Sequence, residues 1–235
     1  MLLQVENLNA HYGKSHVLHG VTLHVEEAGI VALLGRNGSG RSTTLKTIMG
    51  LVSPTRGNIK LKGEDLTGHE AHIVARRGVG YVPEERLVFP NLTVEENLLM
   101  GVKASVGGAP EWSFADVFQY FPRLKERRNQ IAGYMSGGEQ QMLSICRTVL
   151  GNPLVLLVDE PTEGLAPQVV DIVSDVLLDI QRRGVGVLLV EQKMSMAMKV
   201  ADRALIMGHG QVVFDGTPEE LRDRGDIRRQ WLEAA

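Results

Sequence analysis

A glycine-rich loop between a short apolar strand and a helix constrains the fold of this chain more than any other segment. Residues 30–34 are apolar and partly β-branched, residues 35–43 read Gly-Arg-Asn-Gly-Ser-Gly-Arg-Ser-Thr, and residues 45–51 have a helical pattern. Glycines allow backbone N–H groups to turn towards a phosphate, and the positive end of the following helix adds to the attraction. The order strand, loop, helix predicts a phosphate-binding loop in an α/β fold.

One position of this phosphate loop departs from the usual pattern, because Arg41 stands where Lys is expected. A guanidinium group keeps the positive charge but is planar and bidentate, whereas an ammonium group is a compact point charge. A cation here reaches the β- and γ-phosphate oxygens, and the hydroxyl of Ser42 can bind Mg²⁺. The alternative is a glycine-rich turn that binds no ligand. The residues expected to bind the phosphates are Gly35, Arg36, Asn37, Gly38, Ser39, Gly40, Arg41, Ser42 and Thr43.

The other apolar runs predict the architecture around this loop. Residues 154–158 and 185–190 are continuous apolar runs, which is typical of parallel strands buried on both faces. Residues 3–8 and 21–25 instead alternate as antiparallel strands do, and residues 204–207 and 211–214 flank Gly-His-Gly as in a hairpin. The sequence therefore predicts an α/β fold with a mostly parallel sheet core and an antiparallel β subdomain.

A helical block is expected within this α/β core. We find no convincing strand pattern between about residues 88 and 152, whereas residues 92–100, 114–121 and 139–150 have helical patterns. The chain is thus predicted to be a single unit over residues 1–235, with a helical subdomain inserted at about 88–152.

Two adjacent carboxylates end one of the buried strands. Asp159 and Glu160 follow the apolar run 154–158 directly. Ligands of doubly wound sheets gather at the carboxyl ends of the strands. Asp159 can hold Mg²⁺, and Glu160 can orient and polarise an attacking water. The alternative, a cap for the following helix, is weakened by the phosphate loop earlier in the chain.

A second glycine pair opens the helix that runs towards Leu150. Residues 136–141 read Ser-Gly-Gly-Glu-Gln-Gln, and a helix start with bare amides is an anion site. The structural alternative is an ordinary capping box between Ser136 and Glu139. That alternative leaves Gly137 and Gly138 unexplained, since Gly is unfavourable inside a helix.

Composition excludes several other classes of protein. The 25 Lys and Arg residues against 28 Asp and Glu residues give a net charge of -3, and aromatic residues make up 5%. Neither value favours a nucleic-acid partner, which needs a basic surface and often stacking rings. The longest apolar runs have about five residues, far short of the roughly 20 of a membrane-spanning helix. We expect a soluble, cytoplasmic protein whose membrane role comes through a partner.

Taken together, these motifs resemble those of the ATP-binding cassette (ABC) ATPases. Residues 136–141 match the signature of that family, and the resemblance extends over essentially the whole chain. It implies a P-loop NTPase cassette that binds ATP and Mg²⁺, with Ser136, Gly137 and Gly138 acting on nucleotide. Tyr12 lies where the family stacks a ring on adenine, although core packing is the alternative for a lone Tyr. Residues 165–167 resemble the loop that contacts the partner subunit.

Two further positions resemble one subgroup, the ATPases of branched-chain (hydrophobic) amino acid importers. Glu84 replaces the Gln of a loop that the family uses at the metal, and Gln192 replaces the γ-phosphate-sensing His. We predict that Glu160 and Gln192 are catalytic and that Ser42, Glu84 and Asp159 serve the metal. The ATPases of urea- and amide-type importers share many of these sequence motifs, so they remain an alternative.

The resemblance also implies partners and a location. A transporter ATPase of this kind acts as a homodimer or with a second related ATPase. It lies on the inner face of the membrane through permease subunits, which receive substrate from an extracytoplasmic binding protein. Two other hypotheses are a regulatory cassette without efficient hydrolysis and a soluble repair or translation cassette. Glu160 argues against the former, and the lack of a coiled-coil insertion or second cassette against the latter.

Overall fold

The computed structural model describes residues 1–232, so the last three residues of the unit predicted over 1–235 lie outside the described part. The strands are β1 (Leu3–Tyr12), β2 (Ser15–Val25), β3 (Ile30–Gly35), β4 (Pro54–Leu61), β5 (Glu64–Asp65), β6 (Val79–Val82), β7 (Val155–Asp159), β8 (Gly186–Glu191), β9 (Arg203–Gly208) and β10 (Gln211–Gly216). The helices are α1 (Arg41–Ile48), α2 (Ala71–Arg76), α3 (Val94–Leu99), α4 (Phe114–Tyr120), α5 (Pro122–Glu126), α6 (Gly137–Val149), α7 (Pro167–Arg182), α8 (Met194–Val200), α9 (Pro218–Asp223) and α10 (Gly225–Trp231).

A six-stranded sheet forms the centre of the molecule, in the order β10-β9-β3-β8-β7-β6. Strands β9, β3, β8, β7 and β6 are parallel, and β10 pairs antiparallel with β9. Every residue of β3, β7 and β8 is buried, as expected for parallel strands covered by helices on both faces. The predicted parallel core is confirmed, and the carboxyl ends of these three neighbouring strands meet at one edge.

A second, antiparallel sheet has the order β2-β1-β4-β5. Strands β1 and β2 pair from Leu3 opposite Val25 to Tyr12 opposite Ser15, which leaves a two-residue turn at residues 13–14. The buried side chains of β1 and β2 pack in one cluster with α1 and with part of the six-stranded sheet. The predicted strands of the first 25 residues are present but longer, and β4 and β5 were not predicted.

Residues 88–152, all of which the structure describes, contain α3 to α6 and a 3-10 turn at Ala132–Tyr134. The one β pairing within that stretch is an isolated bridge between Thr93 and Ile131. The three predicted helices correspond to α3, α4 and α6, with ends shifted by one or two residues. The shift of α6 has a local cause, because Ser136 caps it and draws Gly137 and Gly138 into the first turn.

Four helices begin with a complete capping box. In each, the hydroxyl of the capping residue accepts from the third backbone N–H, and a carboxylate three residues on accepts from the cap. The pairs are Thr93 with Glu96, Ser113 with Asp116, Ser136 with Glu139, and Thr217 with Glu220. Helix α1 differs, because Gly40 precedes it and makes no side-chain cap.

The β9–β10 hairpin is also present as predicted, and α9 and α10 follow it in the chain. A third cluster consists of buried side chains from β3, α8, β9 and α9. Phe214, Ile227 and Trp231 pack against it. The hairpin turn places residues 208–210 beside the phosphate loop. Among residues 1–232, no helix combines the length and apolarity needed to cross a membrane.

Candidate nucleotide site

Three strand ends build the candidate site. The phosphate loop begins where β3 ends, at Gly35. Strand β7 ends at Asp159 and is followed by Glu160, and strand β8 ends at Glu191 and is followed by Gln192. Because β3, β8 and β7 are neighbours in the sheet, these segments lie side by side although they are far apart in sequence. The order of the strands therefore collects most of the predicted site residues at one edge.

The phosphate loop takes a shape that depends on its glycines. Gly38 and Gly40 have φ of +79° and +104°, a region that side chains other than glycine rarely adopt. A Cβ atom at Gly40 would also lie 3.0 Å from Leu18 and 3.1 Å from Met207. Since no side chain caps α1, its first amides are left for another acceptor. An anion at this helix start would satisfy them.

Arg41 is buried and pairs with the predicted catalytic carboxylate. Its Nη2 atom donates to Glu160 Oε1 at 2.7 Å and to Asn37 Oδ1 at 3.2 Å. The side chains of Arg41 and Glu160 are only 4% and 9% exposed. Nη1 of Arg41 is buried and has no hydrogen-bond partner within the described chain. Nη1 of the guanidinium is thus an unused donor, while Glu160 and Asn37 both accept from Nη2.

The predicted metal ligands of α1 and β7 are in direct contact. Ser42 Oγ donates to Asp159 Oδ1 at 3.0 Å, and the Tyr81 hydroxyl donates to Asp159 Oδ2 at 3.4 Å. Burial raises the pKa of Asp159, and the hydrogen bond from Ser42 opposes that rise. Burial, followed by the charge of Asp159, raises the pKa of Tyr81, so the phenol stays protonated.

Glu160 lies in an acidic cleft of about 280 Å³ that faces the phosphate loop. Glu84 and Glu163 line the same cleft. Burial raises the pKa of Glu160 to about 7, Arg41 works against that rise, and Glu163 and Glu84 add to it. Burial and then the charges of Glu163 and Asp159 raise the pKa of Glu84. We refer to this space as the phosphate cleft.

The backbone at Glu160 is in a left-handed conformation, with φ of +43°. Such a conformation costs roughly 1–2 kcal/mol for a residue with a side chain, and it persists only where the surroundings impose it. Here the amide of Glu160 donates to the carbonyl of Val190 on the adjacent strand at 3.0 Å. The strand end therefore turns sharply, and the carboxylate enters the phosphate cleft.

Gln192 also contacts the phosphate loop. Its Nε2 atom donates to Asn37 Oδ1 at 2.5 Å, so Asn37 accepts from both Gln192 and Arg41. The preceding residue, Glu191, is buried and accepts from the Thr162 hydroxyl at 2.6 Å. Burial raises the pKa of Glu191. This bond fastens the end of β8 to the segment after β7.

The segment 136–141, called the signature segment below, lies elsewhere. Ser136 and Gly138 line a separate cavity with residues of α4, α5 and α7, and neither lines the phosphate cleft in the part of the chain that the structure describes. The capping box of Ser136 and Glu139 is complete, so the structural alternative describes the local geometry correctly. The Arg86 guanidinium lies close to Gly137, but it is the end of a flexible side chain and does not by itself require glycine there.

Tyr12 is not brought to the cleft either. It ends β1 at the tip of the β1–β2 hairpin, is 51% exposed and does not line the phosphate cleft as described over residues 1–232. Its exposure argues against the core-packing alternative.

Sequence reasoning missed three contributors to the site. Glu163 enters the phosphate cleft, and its spacing after Asp159 and Glu160 on one turn was an available signal. Tyr81 contacts Asp159 from β6, which no local pattern indicates. The amide of Gly210 donates to the carbonyl of Ser39 at 2.9 Å, a contact that only the tertiary structure places.

The fold and the site define a P-loop nucleotide-binding protein, and comparison with known proteins gives the family. The sequence model of the ABC transporter family matches residues 18–163. The chain is similar to the high-affinity branched-chain amino acid transport ATP-binding protein BraG of Pseudomonas aeruginosa, with 41% identity over 98% of this chain and 99% of that one. The chain belongs to the ABC transporter ATP-binding family and is an ATPase.

Other relatives carry different names. Lipopolysaccharide export system ATP-binding protein LptB of Haemophilus influenzae is 34% identical over 98% of this chain and 97% of its own. The probable branched-chain amino acid transport ATP-binding protein LivF of Archaeoglobus fulgidus is 35% identical over 94% of both chains. Proteins named for branched-chain amino acid transport and for lipopolysaccharide export are thus both similar to this chain.

Solved structures agree with the fold. A nucleotide-free ATP-binding cassette from an ABC transporter superposes with a TM-score of 0.82 over 94% of both chains, at 23% identity. An ATP-binding subunit of an ABC transporter, 32% identical, superposes with a TM-score of 0.78 over 98% of this chain and 93% of that one. The predicted cassette fold is confirmed.

Proposed function

We propose that this chain is the ATP-hydrolysing subunit of an importer for branched-chain or other hydrophobic amino acids. One observation carries the hydrolytic part. Arg41 and Glu160 line one cleft in contact at 2.7 Å, and Ser42, which lines the same cleft, contacts Asp159 at 3.0 Å. The names of the relatives BraG and LivF support the substrate class. The similarity to LptB favours a second candidate, a cassette of lipopolysaccharide export.

The phosphate loop and the two carboxylates divide the chemistry between them. The amides of residues 38–43 and the free Nη1 of Arg41 bind the β- and γ-phosphates. Glu160 accepts a proton from the attacking water, whose oxygen forms a bond to the γ-phosphorus as the bond to the ADP oxygen breaks. A triphosphate competes with Glu160 for Arg41, so nucleotide binding releases the carboxylate for this role.

The donor set near α1 fits a magnesium ion. Ser42 Oγ and the Asp159 carboxylate are hard oxygen ligands in contact, with Glu84 across the cleft. No cluster of three or more His, Cys, Asp or Glu side chains suited to a metal exists in residues 1–232. Magnesium usually keeps few protein ligands and several phosphate and water oxygens, so this sparse set is suitable. Bound magnesium would neutralise charge on the transferred phosphoryl group.

Gln192 and Glu84 serve the γ-phosphate end of the site. The amide of Gln192 donates to Asn37 in the loop, and this proximity supports a role as a donor to the terminal phosphate. Glu84 lines the cleft, where its carboxylate could bind a metal ion or a water held by that ion.

The signature segment acts on nucleotide bound by another subunit. Within one chain it lines a different cavity from the phosphate loop, so Ser136 and Gly138 need a second cassette to reach a triphosphate. Two chains, or this chain and a related ATPase, would each supply one half of two composite sites. Tyr12 stacks on the adenine at the exposed edge of its own site.

An apolar groove offers a surface to the permease. It has a volume of about 380 Å³ and lies between the α/β core and the helical block. Exposed Leu51, Phe89 and Met100 line it, and three large apolar side chains are costly to leave in water. Docking of permease subunits there holds the chain at the inner face of the membrane and passes movement of the helical block to them.

Reconstitution tests this proposal. The chain is combined with candidate permease subunits in liposomes, and binding proteins loaded with leucine, isoleucine or valine are added. We expect these to stimulate ATP hydrolysis, with a complex containing Glu160→Gln as the control for background phosphatase.

The alternatives give other results in the same assay. Stimulation by urea- or amide-loaded binding proteins, or by lipopolysaccharide with its own permease, would replace the proposed substrate. Stable MgATP binding without turnover in every complex would favour the regulatory cassette.

A further inference from the structure

A second cleft, of about 280 Å³, lies behind the phosphate loop. Its walls are residues 36–39 of the loop, residues 207–209 at the end of β9, and Gln230 and Trp231 at the end of α10. None of the contacts described above for catalysis uses α10. The cleft nevertheless brings this helix to the same loop that would bind the triphosphate.

The indole of Trp231 lies directly against the hairpin turn. A Cβ atom at Gly208 would collide with three carbons of the indole ring, so the ring and the backbone are in close contact. The rings of Trp231 and His209 meet edge to face, with centroids 5.3 Å apart and an interplanar angle of 76°. Trp231 therefore packs on the two residues that begin this turn.

The same turn is hydrogen-bonded to the phosphate loop. The amide of Gly210 donates to the carbonyl of Ser39 at 2.9 Å, and its carbonyl accepts from the amide of His19 at 2.9 Å. A Cβ atom at Gly210 would collide with the carbonyl of Val17, so the turn has little room to move towards β2. A displacement on the Trp231 side would pass to Ser39 through this short path.

Few hydrogen bonds hold residues 36–39 of the phosphate loop on the side that faces the hairpin turn. The carbonyl of Arg36 accepts from the amide of Ser39 at 3.1 Å within the loop itself. The Oγ atom of Ser39 is buried and finds no partner in residues 1–232. Within residues 1–232, the bond from Gly210 is thus the hydrogen bond that joins residues 36–39 to the hairpin.

We propose that Trp231 is a positioning residue for nucleotide binding, holding the 208–210 turn so that Gly210 keeps residues 36–39 in a phosphate-binding shape. This inference rests on the proposed role of the phosphate loop. The competing explanation is that substitution of Trp231 only weakens the packing of α10, without any effect on the phosphate loop. Ile227 separates the two, because it packs on the same cluster from the same helix but does not line the second cleft.

Equilibrium dialysis with labelled MgATP, on the full chain, is the first test. Trp231→Ala should weaken binding by about twofold to thirtyfold, the range by which coupled residues outside a site act. Trp231→Phe should restore most of the affinity, and Ile227→Ala should bind as the wild type does. Turnover at saturating MgATP should change by less than about twofold, because the loop is restored once filled.

Fluorescence gives a second test that leaves Trp231 intact. The sequence contains two tryptophans, and Trp112 lies in the helical block with Arg183 over its ring at 4.1 Å. In Trp112→Phe, the tryptophan emission comes from Trp231 alone and should change as MgATP is added. The MgATP concentration at the midpoint of this change should equal the midpoint of the dialysis curve.

Each contrary result has a definite meaning. Unchanged affinity in Trp231→Ala, an equal loss in Ile227→Ala, or a silent Trp231 signal would overturn the inference. A wild-type chain that binds no MgATP would instead overturn the proposed function, and the inference with it.

Discussion

The phosphate loop and the signature segment are both glycine-rich helix starts, yet their amides are satisfied in opposite ways. Ahead of α6, the hydroxyl of Ser136 accepts from the amide of Glu139 at 3.3 Å, and Glu139 accepts from the amide of Ser136 at 2.9 Å. Ahead of α1, Gly40 offers no cap at all. The capping box thus satisfies the amides of Ser136 and Glu139 at the start of α6, whereas no side-chain cap satisfies the first amides of α1.

The two segments also differ in how far their supports lie along the chain. The capping box joins two residues three apart in sequence, while Arg41 and Ser42 contact partners 119 and 117 residues away. Asn37 accepts from Gln192, 155 residues on. The signature segment is thus formed locally, and the phosphate cleft depends on the whole sheet. Variants that affect one and spare the other test this difference.

The largest expected effect follows removal of the Glu160 carboxylate. Glu160→Gln should lower turnover by about 10²- to 10⁴-fold, the usual contribution of a general base, while MgATP still binds. Glu163→Gln, in the same cleft, is the matched control and should cost far less. Steady-state phosphate release and equilibrium dialysis measure the two quantities. Turnover that survives in Glu160→Gln would remove this residue from the mechanism.

Arg41 should have the next largest effect, on affinity. Arg41→Ala removes a charged donor from the loop and should weaken MgATP binding by about tenfold to a hundredfold, as expected for a hydrogen bond to a charged group. Arg41→Lys keeps the charge and should retain much of the binding and turnover. Thermal melts show whether Glu160, left without its partner, lowers stability. Equal affinity in Arg41→Ala and the wild type would contradict the role.

Mixing the two kinds of defect tests whether the segments work together across subunits. At MgATP concentrations that half-saturate the wild type, Ser136→Arg alone and Arg41→Ala alone should each hydrolyse little, because every composite site is damaged. An equal mixture should recover about a quarter of wild-type hydrolysis, since half of the dimers are mixed and each has one intact site. Crosslinking verifies that mixed dimers form. Mixed dimers without hydrolysis would reject the shared site.

The smallest effect concerns the local cap. Glu139→Ala breaks the capping box of α6 and should lower the free energy of unfolding by about 1 kcal/mol, or the melting temperature by about 2–4 °C. Glu220→Ala breaks the equivalent box of α9 and should cost a similar amount. Only Glu139→Ala should also reduce hydrolysis by the dimer. If the two variants lower hydrolysis equally, the signature cap has no special role.

Much of the nucleotide cleft could be anticipated from sequence because its parts are marked one by one. The phosphate loop, the Asp159–Glu160 pair and the buried strands each have a local pattern, and strand ends of a parallel sheet share one edge. The antiparallel pairing of β4 with β1 was missed, since β4 contains Pro54, Gly57 and several exposed polar residues. Residues 54–61 form a strand because they pair with β1, rather than because of their own β propensity.

The sequence by itself determined the features whose physical cause lies within a few residues. These are the glycine turn of the phosphate loop, the capping box at Ser136 and the apolar period of the strands. Only the tertiary structure decided that Arg41 pairs with Glu160, that Arg86 covers Gly137 and that Trp231 lies against Gly208. Each of these contacts joins residues far apart in sequence, and their meeting depends on strand order and packing, for which no local pattern exists.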